Sequence, residues 1–170
     1  EPACPVYKEC GGCQLQHLSY AGQLKMKEQQ VRDALTRIGH LDTEVLPVMG
    51  CANPWNYRNK MQFPAAMGAE GKIEIGCYAT ATHSVVDTEG CLIQKEANNQ
   101  VLVAVRKWMQ KFNVTAYDEK TGKGLVRHVM SRVGVHSGEV MAVLITSAYD
   151  IPNKKELIDI LVQDVPGLVS

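Results

Sequence analysis

Three cysteines fall within ten residues, Cys4, Cys10 and Cys13, in a C-x5-C-x2-C run; a fourth, Cys91, follows far downstream in the segment Asp87-Thr-Glu-Gly-Cys91. This three-plus-one layout is what a closed four-thiolate metal site requires. A short loop wraps one side of the metal, and the distant ligand ties that loop to a folded body. Four thiolates suit either an iron–sulfur cluster or a structural zinc. Zinc sites often pair two C-x2-C arms, whereas this chain has one such arm, Cys10-Gly-Gly-Cys13. The asymmetric layout fits a cubane cluster better, because one compact loop can ligate three corners. Zinc stays open on spacing alone. A thioredoxin-type redox pair needs a strand before the motif and a helix starting at its first Cys, and Pro5, Gly11 and Gly12 argue against both. Cys51 and Cys77 are left over and read as small buried core residues.

The chain has 170 residues, enough for one domain or one domain with an appendage. Apolar residues make up 45% and charged residues 21%, so a core is within reach. Lys+Arg and Asp+Glu both count 18. That balance excludes polyanion binding through bulk charge and leaves room for a local basic patch. No apolar run approaches the roughly 18 residues that span a bilayer, and the N-terminus lacks a signal-peptide core. A cytoplasmic protein without membrane contact is the expectation, and in that compartment six cysteines serve as metal ligands and buried thiols rather than disulfides. Both ends read as interruptions. The chain opens on Glu1-Pro-Ala-Cys4 without an initiator Met and stops in Pro166-Gly-Leu-Val-Ser170, an apolar run like a strand just starting. A piece of a longer protein is expected.

Residues 1–18 form a Gly/Cys loop without periodicity. Leu24, Val31, Leu35 and Ile38 are spaced 7, 4 and 3 apart, which predicts a helix over 19–38 with one apolar face, Ser19 as its cap and Gly39 at its end. Residues 40–56 read as a connector. Strands are predicted at 57–66, 72–79 and 83–87, with a hairpin turn at Gly68-Ala-Glu-Gly71. Val101, Val105, Trp108 and Phe112 mark a helix over 98–112, with Asn98 or Asn99 as cap. Residues 124–136 and 139–147 read as a β-hairpin turning at Ser137-Gly138. A third helix is predicted at 153–163, with Asn153 and Glu156 spaced as a capping box. The order β-β-β, α, β-β, α, β predicts an α+β fold, a largely antiparallel sheet with helices on one face; the N-terminal cysteine loop is expected to bind a cluster.

Period-two alternation puts Arg58, Lys60 and Gln62 on one strand face, and two cations and an amide in that arrangement suit a phosphate backbone. Arg127 and Arg132, with His128, form a second basic strand segment. A solvated sheet face explains both clusters equally well, as a solvated helix face explains Lys25, Lys27, Arg32 and Arg37. His83, between Thr82 and Ser84, reads first as a hydrogen-bonding structural residue.

Taken in order, these residues resemble a known family. Cys4-Pro5, Cys10-Gly-Gly-Cys13, Gln16-His-Leu-Ser-Tyr20, Gln23-Leu24 and Lys27 are similar to the opening of the RNA uracil-5-methyltransferases. Tyr57-Arg-Asn-Lys-Met-Gln62, Ile75-Gly76, Tyr78, His83, Val86-Asp87 and Cys91 continue the match. Tyr117-Asp118, Gly124-Leu-Val-Arg127-His128, Arg132 and Gly138-Glu-Val-Met141 carry it toward the third helix. The bacterial enzymes acting on 23S-type ribosomal RNA and carrying a cluster are the most similar branch. The resemblance implies a [4Fe–4S] cluster on Cys4, Cys10, Cys13 and Cys91. RNA contacts are expected from one local face, near the strand ends close to the cysteine loop, on Arg58, Lys60, Gln62, His83, Arg127 and Arg132.

The resemblance further implies that the chain is the central part of a three-part enzyme. The missing parts would be an oligonucleotide-binding barrel of the TRAM type and a C-terminal domain that binds S-adenosylmethionine. Residues 1–18 would be the cluster loop, 19–40 a helix packed on the missing methyltransferase domain, and 41–170 the central α+β domain. In the family's chemistry an enzyme thiolate adds to C6 of a flipped-out uracil, C5 takes the methyl group, and a base removes the C5 proton. None of the six cysteines matches that nucleophile, so no catalytic residue is expected in this chain. Two positions depart from the family's pattern. Ala81 replaces a usual basic residue, and Cys77 stands where an aromatic is usual. A zinc-stabilised four-cysteine nucleic-acid-binding module without catalysis is the alternative.

Overall fold

The structure is a computed structural model and describes all 170 residues. Five strands form one sheet in the order β3-β2-β1-β4-β5, every neighbour antiparallel. They are β1 (Lys60–Met67), β2 (Ile73–Tyr78), β3 (Val85–Asp87), β4 (Val126–Val133) and β5 (Val140–Thr146). Three helices accompany them: α1 (Tyr20–Asp33), α2 (Glu96–Lys111) and α3 (Lys154–Asp164). The α+β class and the antiparallel sheet are as the element order predicts. The last expected strand is only a parallel bridge, Val140 to Leu168. No helix is long and apolar enough to cross a membrane.

Pro64 sits inside β1 without breaking it. Residues 60–64 pair with β4 and residues 65–67 with β2, so the proline falls where the strand changes partner and its missing N–H is least needed. The turn after β1 is built from two residues with left-handed backbone, Glu70 and Gly71.

One face of the sheet is the core face. Met61, Phe63, Ala65, Ile73, Ile75 and Val129 point into it and are buried. α2 covers it with Val101, Leu102, Val105 and Trp108, and α3 adds Leu157, Ile160 and Leu161. Trp108, fully buried, donates its indole N–H to the Asn153 carbonyl at 3.2 Å, so the largest core side chain leaves no orphan donor.

Two helix starts differ from expectation. α2 begins at Lys95 rather than at Asn98 or Asn99. Asn98 instead turns into the core, and Asn99 bonds the Cys91 loop. α3 begins at Asn153, but that residue is left-handed and its side chain caps nothing, so the capping box does not form.

α1 starts at Ser19, whose hydroxyl accepts from the Gly22 N–H at 3.2 Å as the sequence predicts. It continues as a π-type turn over Ala34–Ile38, and left-handed His40 then breaks it. No residue of α1 is buried; Val31 is 50% and Ile38 81% exposed. Of the apolar stripe read from the sequence, Leu24 and Leu35 are partly buried and Gly50 of the following connector lies against Leu24, while Val31 and Ile38 stay exposed.

Candidate metal centre and nucleic-acid face

The cysteine loop is folded by its own polar groups. The Cys10 N–H donates to the Val6 carbonyl at 2.8 Å, and the Cys4 N–H to the Gln16 side chain at 3.2 Å. Tyr7 donates to the Gln14 carbonyl, and Gln23 of α1 donates to the Leu15 and Leu18 carbonyls. The loop then docks on the end of β2. Gly11 donates to the Tyr78 carbonyl at 2.9 Å, and Cys10 bridges Ala79 in antiparallel register. A Cβ on Gly11 would lie 2.8 Å from that carbonyl, so glycine is what permits the close approach.

Cys91 approaches from the opposite side. Its N–H donates to Asn99 at 3.0 Å, and its carbonyl accepts from the Gln94 N–H at 3.0 Å. The remote thiol is therefore fixed by the first turns of α2. Cys4, Cys10, Cys13 and Cys91, the four residues of the expected ligand set, line one pocket. Phe63, Val86 and Ile93 make its floor, and Arg58 is the one charged side chain on its wall. No group of three or more His, Cys, Asp or Glu side chains is drawn into a shell ready to hold a metal ion. The thiols share a cavity without closing on a common point.

The chemistry of the pocket suits a soft, thiolate-bound centre better than a hard cation. It offers sulfur donors and no carboxylate, its wall is mainly apolar, and the Gly12 N–H donates to Cys10 Sγ at 3.3 Å. Arg58 offsets part of the negative charge that four thiolates would bring. Burial raises the Cys91 thiol above its ordinary range. A bound cation is what would draw its proton off.

Cys51 departs from the expected buried core role, while Cys77 is partly buried and packs against the core but also reaches the thiol pocket. Cys51 is exposed, with its N–H bonded to the Tyr20 hydroxyl. Cys77 has the core-facing parity of Ile73 and Ile75, but it lies past the reach of α2, where the cysteine loop is the cover, and it lines the same pocket as the other four thiols. Burial and the neighbouring Cys10 push its thiol up to about 12. Its parity on β2 was readable from the sequence; the docking of a loop some seventy positions away, through Gly11, was not.

The six residues expected to touch RNA separate into three places. Lys60 and Arg132 are cross-strand partners on β1 and β4, and with Gln62 they lie exposed on the sheet face away from the helices. Arg58 stands at the rim of the thiol pocket. His83 and Arg127 converge instead on Glu119, at 3.8 and 4.0 Å. His83 also stacks on Tyr78 with centroids 5.2 Å apart, and Arg127 lies 4.6 Å over the Tyr117 ring. A register irregularity between Val126 and His128 turns Arg127 toward that corner. Arg58, Lys60 and Arg132 take part in no ion pair.

No family model matches the chain. A protein of Clostridium tetani described as an uncharacterized RNA methyltransferase is 47% identical over 171 aligned residues, covering 100% of this chain and 37% of that protein. One of Bacillus cereus with the same description is 48% identical over 168 residues, covering 98% of this chain and 36% of its own length. Among solved structures, the tRNA (uracil-54, C5)-methyltransferase of Pyrococcus abyssi in complex with S-adenosyl-L-homocysteine superposes with a TM-score of 0.67 at 23% identity, over 91% of this chain and 35% of that one. At that identity the likeness speaks for the fold. The similarity to the bacterial relatives runs the whole length of the chain, which belongs to their RNA methyltransferase family and spans a little over a third of their length.

Proposed function

We propose that this chain is the cluster-bearing, RNA-facing part of a cytoplasmic, S-adenosylmethionine-dependent enzyme that methylates C5 of a uridine in 23S-type ribosomal RNA. The observation that carries the reading is the meeting of Cys4, Cys10, Cys13 and Cys91 in one apolar pocket. Those four residues would hold a [4Fe–4S] cluster, which would staple the N-terminal loop to the β2 end and to α2. The unpaired cations Lys60 and Arg132, with Gln62 beside them on the same face, would take phosphates on the open sheet face, and Arg58 would extend that track to the pocket rim. His83 and Arg127 would act at the Glu119 corner, beside Tyr78 and Tyr117 as stacking surfaces.

In this reading residues 1–18 form the cluster loop, 19–40 an arm that packs on the methyltransferase domain, and 41–170 the central domain. The exposed half of the α1 stripe supports the arm's role, since Val31 and Ile38 are 50% and 81% exposed. S-adenosylmethionine would supply the methyl group from a domain outside this chain, where the thiol nucleophile and the base also lie. This chain's own task is to hold and orient RNA.

The test uses the full-length enzyme purified without oxygen. Iron and sulfide should be present in equal amounts with a brown chromophore, and 23S ribosomal RNA should gain 5-methyluridine from labelled donor. Zinc in place of iron would overturn the cluster assignment. Methylation of tRNA but not ribosomal RNA would overturn the substrate, and methylation of a base other than uracil would overturn the reaction.

A further inference from the structure

A fifth thiol stands at the pocket. Cys77 is on a sheet strand, not on the loop, and it shares the pocket wall with Cys4, Cys10, Cys13 and Cys91. The loop's register on β2 sets its neighbours. Cys10 bridges Ala79 and Gly11 bonds Tyr78, so Gly12 arrives opposite Cys77. A Cβ built on Gly12 would lie 3.2 Å from Cys77 Sγ and 3.3 Å from Cys10 Sγ. The two sulfurs therefore flank one empty point, which only a glycine at position 12 leaves free. They occupy the same corner of the pocket.

We infer that Cys77 is a fifth thiol donor of this metal pocket, placed to take the coordination position of Cys10. The inference rests on the reading of the pocket as a thiolate metal site, though not on which soft metal fills it. The step would be alternative ligation without redox change: a metal–sulfur bond would form to Cys77, whose proton leaves to solvent, in place of the bond to Cys10, whose thiol keeps its proton. Cys77 and Cys91 both belong to the folded body, one on β2 and one anchored to α2. They present two thiols before the loop closes; Cys4 and Cys13 complete a set of four when it does, and Cys10 is the alternative to Cys77 at the shared position.

The test is a titration of the metal-free, reduced chain with cobalt(II), whose sulfur-to-metal charge-transfer band grows with the number of thiolates bound. Wild type, Cys10→Ala, Cys77→Ala and the double variant are compared, with folding checked by circular dichroism. The same set made with serine guards against an unfolded alanine variant. Both single variants should keep the full four-thiolate band, and the double variant should lose about a quarter of it. If Cys10→Ala alone falls to the level of the double variant, Cys77 is not a donor and the inference is wrong. If wild type itself gives no thiolate band, the metal reading fails and this inference falls with it.

Discussion

Asn98 shows how a single residue ties the sheet to its covering helix. It is fully buried in α2, accepts from the Ser131 hydroxyl of β4 at 2.7 Å, and donates to the Gln94 side chain at 2.9 Å. Gln94 and Ser131 are themselves buried, at 2% and 0% exposure. Replacing Asn98 by Ala leaves two buried polar groups without partners, at about 1–3 kcal/mol each. Asn98→Ala should therefore lower stability by about 2–4 kcal/mol, read as a fall in the urea midpoint at unchanged slope. An unchanged midpoint would mean that water satisfies the orphaned groups. The sequence suggested Asn98 as a helix cap, because asparagine at a helix start is usually one. Its real role depends on Ser131, 33 positions away, which no local pattern reports. The cysteines contrast with it, because thiols at loop spacing carry their chemistry in the sequence itself.

Among the elements, β3 is the shortest strand and an edge, and it is held by charge rather than by apolar area. Arg106 of α2 donates to Asp87 of β3 at 2.7 Å and to the carbonyls of Ile73 and Thr88 at 2.9 and 2.7 Å. Lys72 adds an ion pair to Asp87 at 2.9 Å. Burial alone would raise the Asp87 pKa, but hydrogen bonds from Lys72, from the Ile75 N–H and from Arg106 outweigh it and hold the carboxyl below its ordinary 3.8. A carboxyl depressed by folding contributes stability above its unfolded pKa and loses it as pH falls through the folded value. Wild type should thus weaken between about pH 5 and pH 2, and Asp87→Asn should be less stable at pH 7 but flatter over that acid range. Urea midpoints at several pH values check this, and parallel curves for the two proteins would refute it.

The elements themselves were largely legible. Strand alternation located β1, β2 and the β4–β5 hairpin within a few residues, because each has one buried and one open face. α1 was legible as a helix from its apolar stripe, which says that a partner is needed without saying where the partner is. The Arg106 tie was invisible, since its acceptors lie on strands that only the folded sheet brings beneath α2.

At the scale of the whole molecule, the fold separates two surfaces. α2 and α3 take one side of the sheet, the cysteine loop closes the end they leave open, and the other side stays free with Lys60, Gln62 and Arg132 on it. With 18 cations against 18 anions, the chain gains nothing from bulk attraction to RNA. RNA binding would have to come from a local group of cations that no carboxylate neutralises. Arg58, Lys60 and Arg132 are such cations, whereas Arg127 faces Glu119. Three phosphate contacts on a single strand release counterions with a slope of log affinity against log salt of roughly −2. Arg132→Ala should make that slope shallower by about 0.7 and weaken binding alike for unrelated RNA sequences, because phosphate contacts position an RNA without reading it. Arg127→Ala should change the slope less than Arg132→Ala, since its charge is already partly answered. Fluorescence anisotropy with a labelled single-stranded RNA across a salt series measures all three proteins. Equal slopes for wild type and Arg132→Ala would show that the open sheet face is solvated surface and that the RNA lies elsewhere.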